Sequence, residues 1–160
     1  MGPKQKLRRD RSNPPLDAGA LPDLLGYRLR LAQQAVFRDF AASVQGLSPG
    51  RVGLLIFVDA NPGATQSRLA EAAERDRSTM VGVLDQLEAR GLIERRRGAD
   101  RRTNGLWLTR AGRTLLARAL RGIAGHERRI AARLSAAERR QLIRLLGKIS
   151  GQKKGALARP

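Results

Sequence analysis

Apolar residues recur at helical spacing along most of this chain, broken once by a short stretch with strand character. Between positions 21 and 47, Leu25, Leu29, Ala32, Val36, Phe40, Val44 and Leu47 step by three or four and make one apolar stripe. Leu24, Leu31, Ala35 and Phe37 widen it beyond a single face, so this long helix needs more than one neighbour to cover it. Ser48-Pro49 opens the next helix, with serine as N-cap and proline at the first helical position, where its missing N–H is harmless. That helix, 49–59, carries Val52, Leu54, Leu55, Ile56, Phe57 and Val58 and is expected to be almost wholly buried. Asn61-Pro62-Gly63 stops it.

Thr65 or Ser67 then starts a short helix through Leu69, Ala70, Ala73 and Glu74. Arg75-Asp76-Arg77 makes a turn, and Asp76 or Ser78 caps a helix over 77–90. Met80, Val83, Leu84 and Leu87 form its buried face at i, i+3, i+4, i+7. The opposite face presents Ser78, Gly82, Asp85 and Gln86, flanked by Arg77, Thr79 and Val81. Gly91 is expected to end this helix in the left-handed conformation, with Leu92 folding back on Leu87. Positions 92–97 read as a strand, 98–105 as a turn-rich loop and 106–109 as the returning strand. Thr109 begins a last helical region through Leu115, Leu116, Ala119, Leu120, Ile123, Ile130 and Leu134, with interruptions expected at Gly122 and Gly125. Ser135-Ala136-Ala137-Glu138 is a capping box, so a new helix starts there; it is expected to bury Leu142, Leu145, Leu146 and Ile149. There is no internal repeat.

Charge changes the picture by its placement. The 160 residues carry a net charge of +18, which favours a polyanionic partner, yet arginine is abundant in nearly every segment. Between 90 and 102 lie six arginines against two acids, on a hairpin that follows two helices joined by a turn. The pattern predicts a mainly α fold: a winged helix-turn-helix with a two-stranded β wing, flanked by N- and C-terminal helices. Residues 1–20 read as a flexible basic arm and 151–160 as a basic tail; 21–47 and 113–150 read as flanking helical regions and 48–112 as the winged helix-turn-helix DNA-binding region. Small side chains on the outer face of the 77–90 helix let it approach base edges, and a mid-helix glycine such as Gly82 costs about 1 kcal/mol against alanine. An arginine-rich hairpin tip suits the narrow, electronegative minor groove.

Several functions are excluded or disfavoured. With no cysteine and a single histidine, His126, disulfides, thiol chemistry and cysteine-based zinc sites are out. No constellation of acid, base and nucleophile stands in one motif, so neither catalysis nor a cofactor nor a metal is expected. No apolar run approaches the roughly 20 residues of a membrane span, and the start lacks the apolar core of a signal peptide, so a cytoplasmic protein with no membrane partner is expected.

The segment LDQLEARGLIERRRGADRRTNGLWLTRAG resembles the signature of the MarR-type transcription regulators. The matching residues are Leu87, Glu88, Gly91, Leu92, Ile93 and Arg95, then Asp100 and Arg102 in the wing, then Leu108, Thr109 and Gly112. The resemblance implies a homodimer, with the terminal helices of 21–47 and 113–150 intertwined as the helical dimerisation region, that binds a pseudo-palindromic site in double-stranded DNA and acts as a repressor. It implies Arg102 in the minor groove, Asp100 as its holder and Arg101 on phosphate. It places Arg77, Ser78, Thr79, Val81 and Gly82 at base-reading positions, and Gln66, Ser67 and Arg68 on the backbone; Arg95 is added as a further DNA contact. Many such proteins bind an aromatic acid or similar small anion. Tyr27, Phe37, Phe40, Phe57 and His126 are candidate lining residues, with Arg28 or Arg30 as anion partner. The 24–40 segment resembles regulators of hydroxycinnamate and other aromatic-acid degradation that respond to acyl-CoA thioesters, a ligand whose phosphates an arginine-rich surface would suit. The alternative is an architectural DNA- or RNA-binding protein, driven by charge alone and without ligand response.

Overall fold

A computed structural model describes residues 16–97 and 104–151. The chain divides into two units at Ala35–Val36. In the first, a 3-10 turn over Leu21–Asp23 leads into helix α1, Leu25–Ser43, which continues into the second. Arg28 Nε donates to the Pro22 carbonyl at 2.6 Å, and the Arg30 guanidinium lies 4.9 Å from the centre of the Tyr27 ring.

In the second unit α1 ends at Ser43, earlier than the apolar period suggested, although Val44 and Leu47 in the following turn are still buried. Helix α2, Pro49–Ala60, starts as expected: the Ser48 hydroxyl accepts from the Arg51 amide. Its Val52, Leu54, Leu55 and Val58 are buried, but Ile56 is 41% exposed, a correction to the expectation of near-complete burial. A helix of 12 residues turns every position past its surroundings, and Ile56 falls on the outer side.

A strand of two residues, β1 (Ala64–Thr65), follows the turn. Helix α3 (Gln66–Ala72) is capped by Thr65, and helix α4 (Arg77–Ala89) by Asp76, whose Oδ1 accepts from the Thr79 amide at 2.7 Å. Gly91, at φ +65°, closes α4. The Leu92 amide bonds to the Leu87 carbonyl and the Gly91 amide to the Glu88 carbonyl, both bonds of the expected C-terminal motif. Strands β2 (Ile93–Arg97) and β3 (Asn104–Leu108) are antiparallel, pairing Ile93 with Leu108 and Arg95 with Leu106. β1 pairs with the far edge of β3, Ala64 opposite Leu106, so the sheet has three strands in the order β1-β3-β2 instead of two.

Thr109 caps α5 (Arg110–Ile130), which runs unbroken through Gly122 and Gly125. Gly122 is there for packing: a Cβ would overlap the Ser43 carbonyl oxygen at the end of α1. A Ser135 capping box starts α6 (Ala136–Ile149). The core gathers Leu54, Leu55, Leu69, Met80, Leu84, Leu87, Ile93 and Leu106, with Leu116 and Ala119 of α5. Leu142, Leu145, Leu146 and Ile149 were expected to be buried, yet all are exposed in the single chain. Among the described residues no helix is long and apolar enough to cross a membrane.

Candidate nucleic-acid interface

Helices α3 and α4 pack as the two arms of a helix-turn-helix. Met80, Leu84 and Leu87 anchor α4 from below and Val83 is half-buried. That orientation leaves Arg77, Ser78, Thr79, Val81 and Gly82 exposed along its N-terminal half. A Cβ at Gly82 would meet nothing within 4 Å, so no packing within the chain requires glycine there. Asp76 sits at the head of this face. Hydrogen bonds from Thr79, then from the Ser78 hydroxyl, hold its carboxyl well below the ordinary range. Ser67 and Arg68 are exposed in the first turn of α3 and Gln66 is half-buried.

The C-terminal half of α4 is engaged differently. Gln86 Oε1 accepts from the Arg51 guanidinium at the start of α2. Asp85 and Glu88 both hold Arg95 of β2. Arg95 Nη2 lies 2.6 Å from Asp85 Oδ1, Arg95 Nη1 donates to Glu88 Oε2, and the Arg95 amide donates to Glu88 Oε1 at 3.2 Å. Partial burial works against the Arg95 charge, but the hydrogen bond to Asp85 and the two carboxylate charges outweigh it and raise its pKa. One side chain therefore ties β2 to α4. On β2 next to it, Arg96 pairs with Glu94 and lies 5.5 Å from the centre of the Trp107 ring.

The start of α5 is fastened to the same corner. The Thr109 hydroxyl donates to the Gly91 carbonyl at 2.6 Å and accepts from the Gly112 amide at 2.9 Å. A Cβ at Gly112 would overlap the Leu92 carbonyl oxygen. The Leu-Thr-x-x-Gly pattern is thus a docking device that seats α5 on the end of α4. Asp100, Arg101 and Arg102 lie outside the described residues.

The candidate ligand-lining residues fall in both units, and those of the second do not share one hollow. Phe40 (7% exposed) and His126 (3%) meet edge to face at 5.5 Å, inside the second unit. His126 Nδ1 is 2.7 Å from Asp39 Oδ1, and Asp39 also accepts from Arg129 Nε and Nη2, both at 2.9 Å. The Arg129 bonds first, then His126, hold the Asp39 carboxyl far below its usual range. Phe37 is 49% exposed on α1. Phe57 borders a different hollow, a cleft of about 560 Å³ lined also by Leu54, Arg68, Glu71 and Arg75. Tyr27, Arg28 and Arg30 belong to the first unit, described above.

Sequence reasoning missed Asp39, the Asp85 and Glu88 grip and the Arg51–Gln86 bond. Glu88 was visible in the motif, but only three-dimensional pairing reveals what it holds.

The MarR family profile matches residues 45–103. A protein of Thauera aromatica described as a transcriptional regulatory protein for the hcr operon is 41% identical over 138 residues, covering 84% of this chain and 83% of its own. Among solved structures, the transcriptional repressor CouR bound to a 23-mer DNA duplex is 40% identical with a TM-score of 0.80, covering 86% of this chain and 99% of that one. CouR bound to p-coumaroyl-CoA is 38% identical with a TM-score of 0.79, covering 87% and 100%.

Proposed function

Because this chain belongs to the MarR family of transcriptional regulators, we propose that it is a homodimeric repressor, released from a pseudo-palindromic operator by a small anionic aromatic ligand, an aromatic acid or its acyl-CoA thioester. Residues 48–112 read DNA, and 21–47 with 113–150 join the two copies. The observation that carries this reading is the division of labour along α4. Its polar C-terminal residues are engaged within the protein, while the small and hydroxylic N-terminal face stands exposed. A helix presented this way can enter a major groove with its first turns against base edges. Arg77, Ser78, Thr79, Val81 and Gly82 read bases; Gln66, Ser67 and Arg68 meet the backbone; Arg102, held by Asp100, enters the minor groove with Arg101 on phosphate.

The ligand reading is supported by the likeness to CouR, which has been seen with p-coumaroyl-CoA. The ligand acts by binding one dimer geometry better than the other, so its differential affinity sets the response. A charge-driven architectural protein would instead show a steep salt dependence and no favoured site.

The test starts with in vitro selection from random duplex DNA and footprinting of the selected site. Two protected half-sites about one helical turn apart are expected. Arg102→Ala should weaken binding to that site by about tenfold or more, the scale of one lost base contact, with dimer and fold unchanged. Unchanged affinity contradicts the wing assignment. Titrating the complex with aromatic acids and their CoA thioesters should release the DNA with one of them; if none does, the ligand half of the proposal falls.

A further inference from the structure

Arg95 invites a simple reading as one more cation facing DNA phosphate, as its place among the wing arginines suggests. The geometry points to another role: we propose that Arg95 is a strut, gripped by Asp85 and Glu88, that fixes the angle of the wing against the recognition helix and so sets sequence discrimination without touching DNA. This inference rests on the DNA-reading role of α4.

Four observations carry it. Asp85 and Glu88 are three residues apart on α4, so their side chains rise on one face of the helix. Arg95 stands opposite Leu106 in the middle of the β2–β3 ladder, where the backbone on both sides is fixed by pairing. Its guanidinium bridges both carboxylates, and the Glu88 carboxylate also takes the Arg95 amide, so main chain and side chain are held together. The Arg95 side chain is 24% exposed, against 57% for its neighbour Arg96. A planar guanidinium committed to two acids has spent much of its donor fork within the protein. β2 leads into the wing tip and α4 carries the base-reading face, so the bridge couples the two surfaces that have to meet adjacent grooves together.

The strut and the phosphate contact predict opposite outcomes for the acids. Asp85→Ala and Glu88→Ala each remove a negative charge near the DNA. If Arg95 acts by charge alone, both variants bind DNA as tightly as the wild type or more tightly. As a strut, each lowers affinity for the selected duplex by about tenfold, comparable to one mismatched base pair, while affinity for random duplex is unchanged or higher. Arg95→Lys keeps the charge, but one ammonium cannot reproduce the bidentate bridge, so it shows the same loss of discrimination.

The experiment is fluorescence anisotropy with a duplex that the full-length wild-type protein recovers from a random pool, measured over a range of salt. Asp85 is more than half exposed, so the Asp85→Ala variant keeps the fold; circular dichroism and the unfolding midpoint check this. Expected are a reduced ratio of selected to random affinity in all three variants, a salt slope equal to wild type in Arg95→Lys, and an Asp85→Ala/Arg95→Lys double variant no worse than the worse single one. Undiminished discrimination in the acid variants, with a salt slope lower by about one in Arg95→Ala, would make Arg95 a phosphate contact and overturn the proposal. If the wild type recovers no preferred duplex, the regulator reading itself fails, and the strut with it.

Discussion

Gly112 and Gly82 are glycines for opposite reasons. At Gly112 a Cβ would overlap the Leu92 carbonyl oxygen, which belongs to backbone and cannot swing aside. Gly112→Ala should therefore destabilise the protein by about 1–3 kcal/mol, the usual scale of overpacking, seen as a lower midpoint in urea unfolding with an unchanged slope. At Gly82 a Cβ points into open space. Gly82→Ala should stabilise α4 by about 1 kcal/mol while weakening operator binding, because in the proposed account the methyl group would stand where the helix approaches the base edges. A variant that is both more stable and equally tight on DNA would show that α4 does not approach DNA at this point. Residue type alone does not separate these two glycines; what each would strike does.

At the scale of elements, the caps were the most legible feature of the sequence. Ser48, Thr65, Asp76, Thr109 and Ser135 each accept from a backbone amide at a helix start, and short polar side chains before an apolar period signal this directly. The Asp76 cap also carries a pH dependence. Its folded pKa is depressed, so its contribution to stability is fully present above the ordinary carboxylate value of about 3.9 and is lost as pH falls toward the folded value. Asp39 behaves in the same sense through Arg129 and His126. The thermal midpoint should thus fall on going from pH 6 to pH 3, and should fall less in Asp76→Asn; an equal drop in both would remove Asp76 from the acid response. Other elements were illegible for physical reasons. β1 is two residues long, too short for any alternation to register, and exists because β3 offers it an edge. Gly122 looks like a helix breaker in sequence, yet is required by the close approach of α1 to α5. In the site, the α4 face followed from period, whereas the Arg95 bridge depends on which strand returns past which turn. The amphipathic period of α6 is real, but a period announces that a face needs covering without saying by what.

For the whole molecule, that uncovered face asks for a partner. Leu142, Ile143, Leu145, Leu146 and Ile149 of α6 are 39–56% exposed, too many apolar side chains on one helix for a lone monomer. Their occupant in the proposed account is a second copy of the chain. Leu146→Glu with Ile149→Glu should shift the protein to monomer in sedimentation and reduce operator affinity by several orders of magnitude, since two half-sites are then no longer bound as one unit. A doubly substituted protein that stays dimeric would place the interface elsewhere. The net charge of +18 adds a second whole-molecule effect: binding to any DNA will weaken steeply with salt, which makes affinity alone uninformative. The measurement that most directly tests the account is therefore a competition titration at physiological salt, in which the wild-type protein bound to its selected duplex is challenged with a scrambled duplex of the same length and composition. The account predicts that at least about a thousandfold excess of scrambled DNA is needed to displace half of the protein. Displacement at equal concentrations would contradict it.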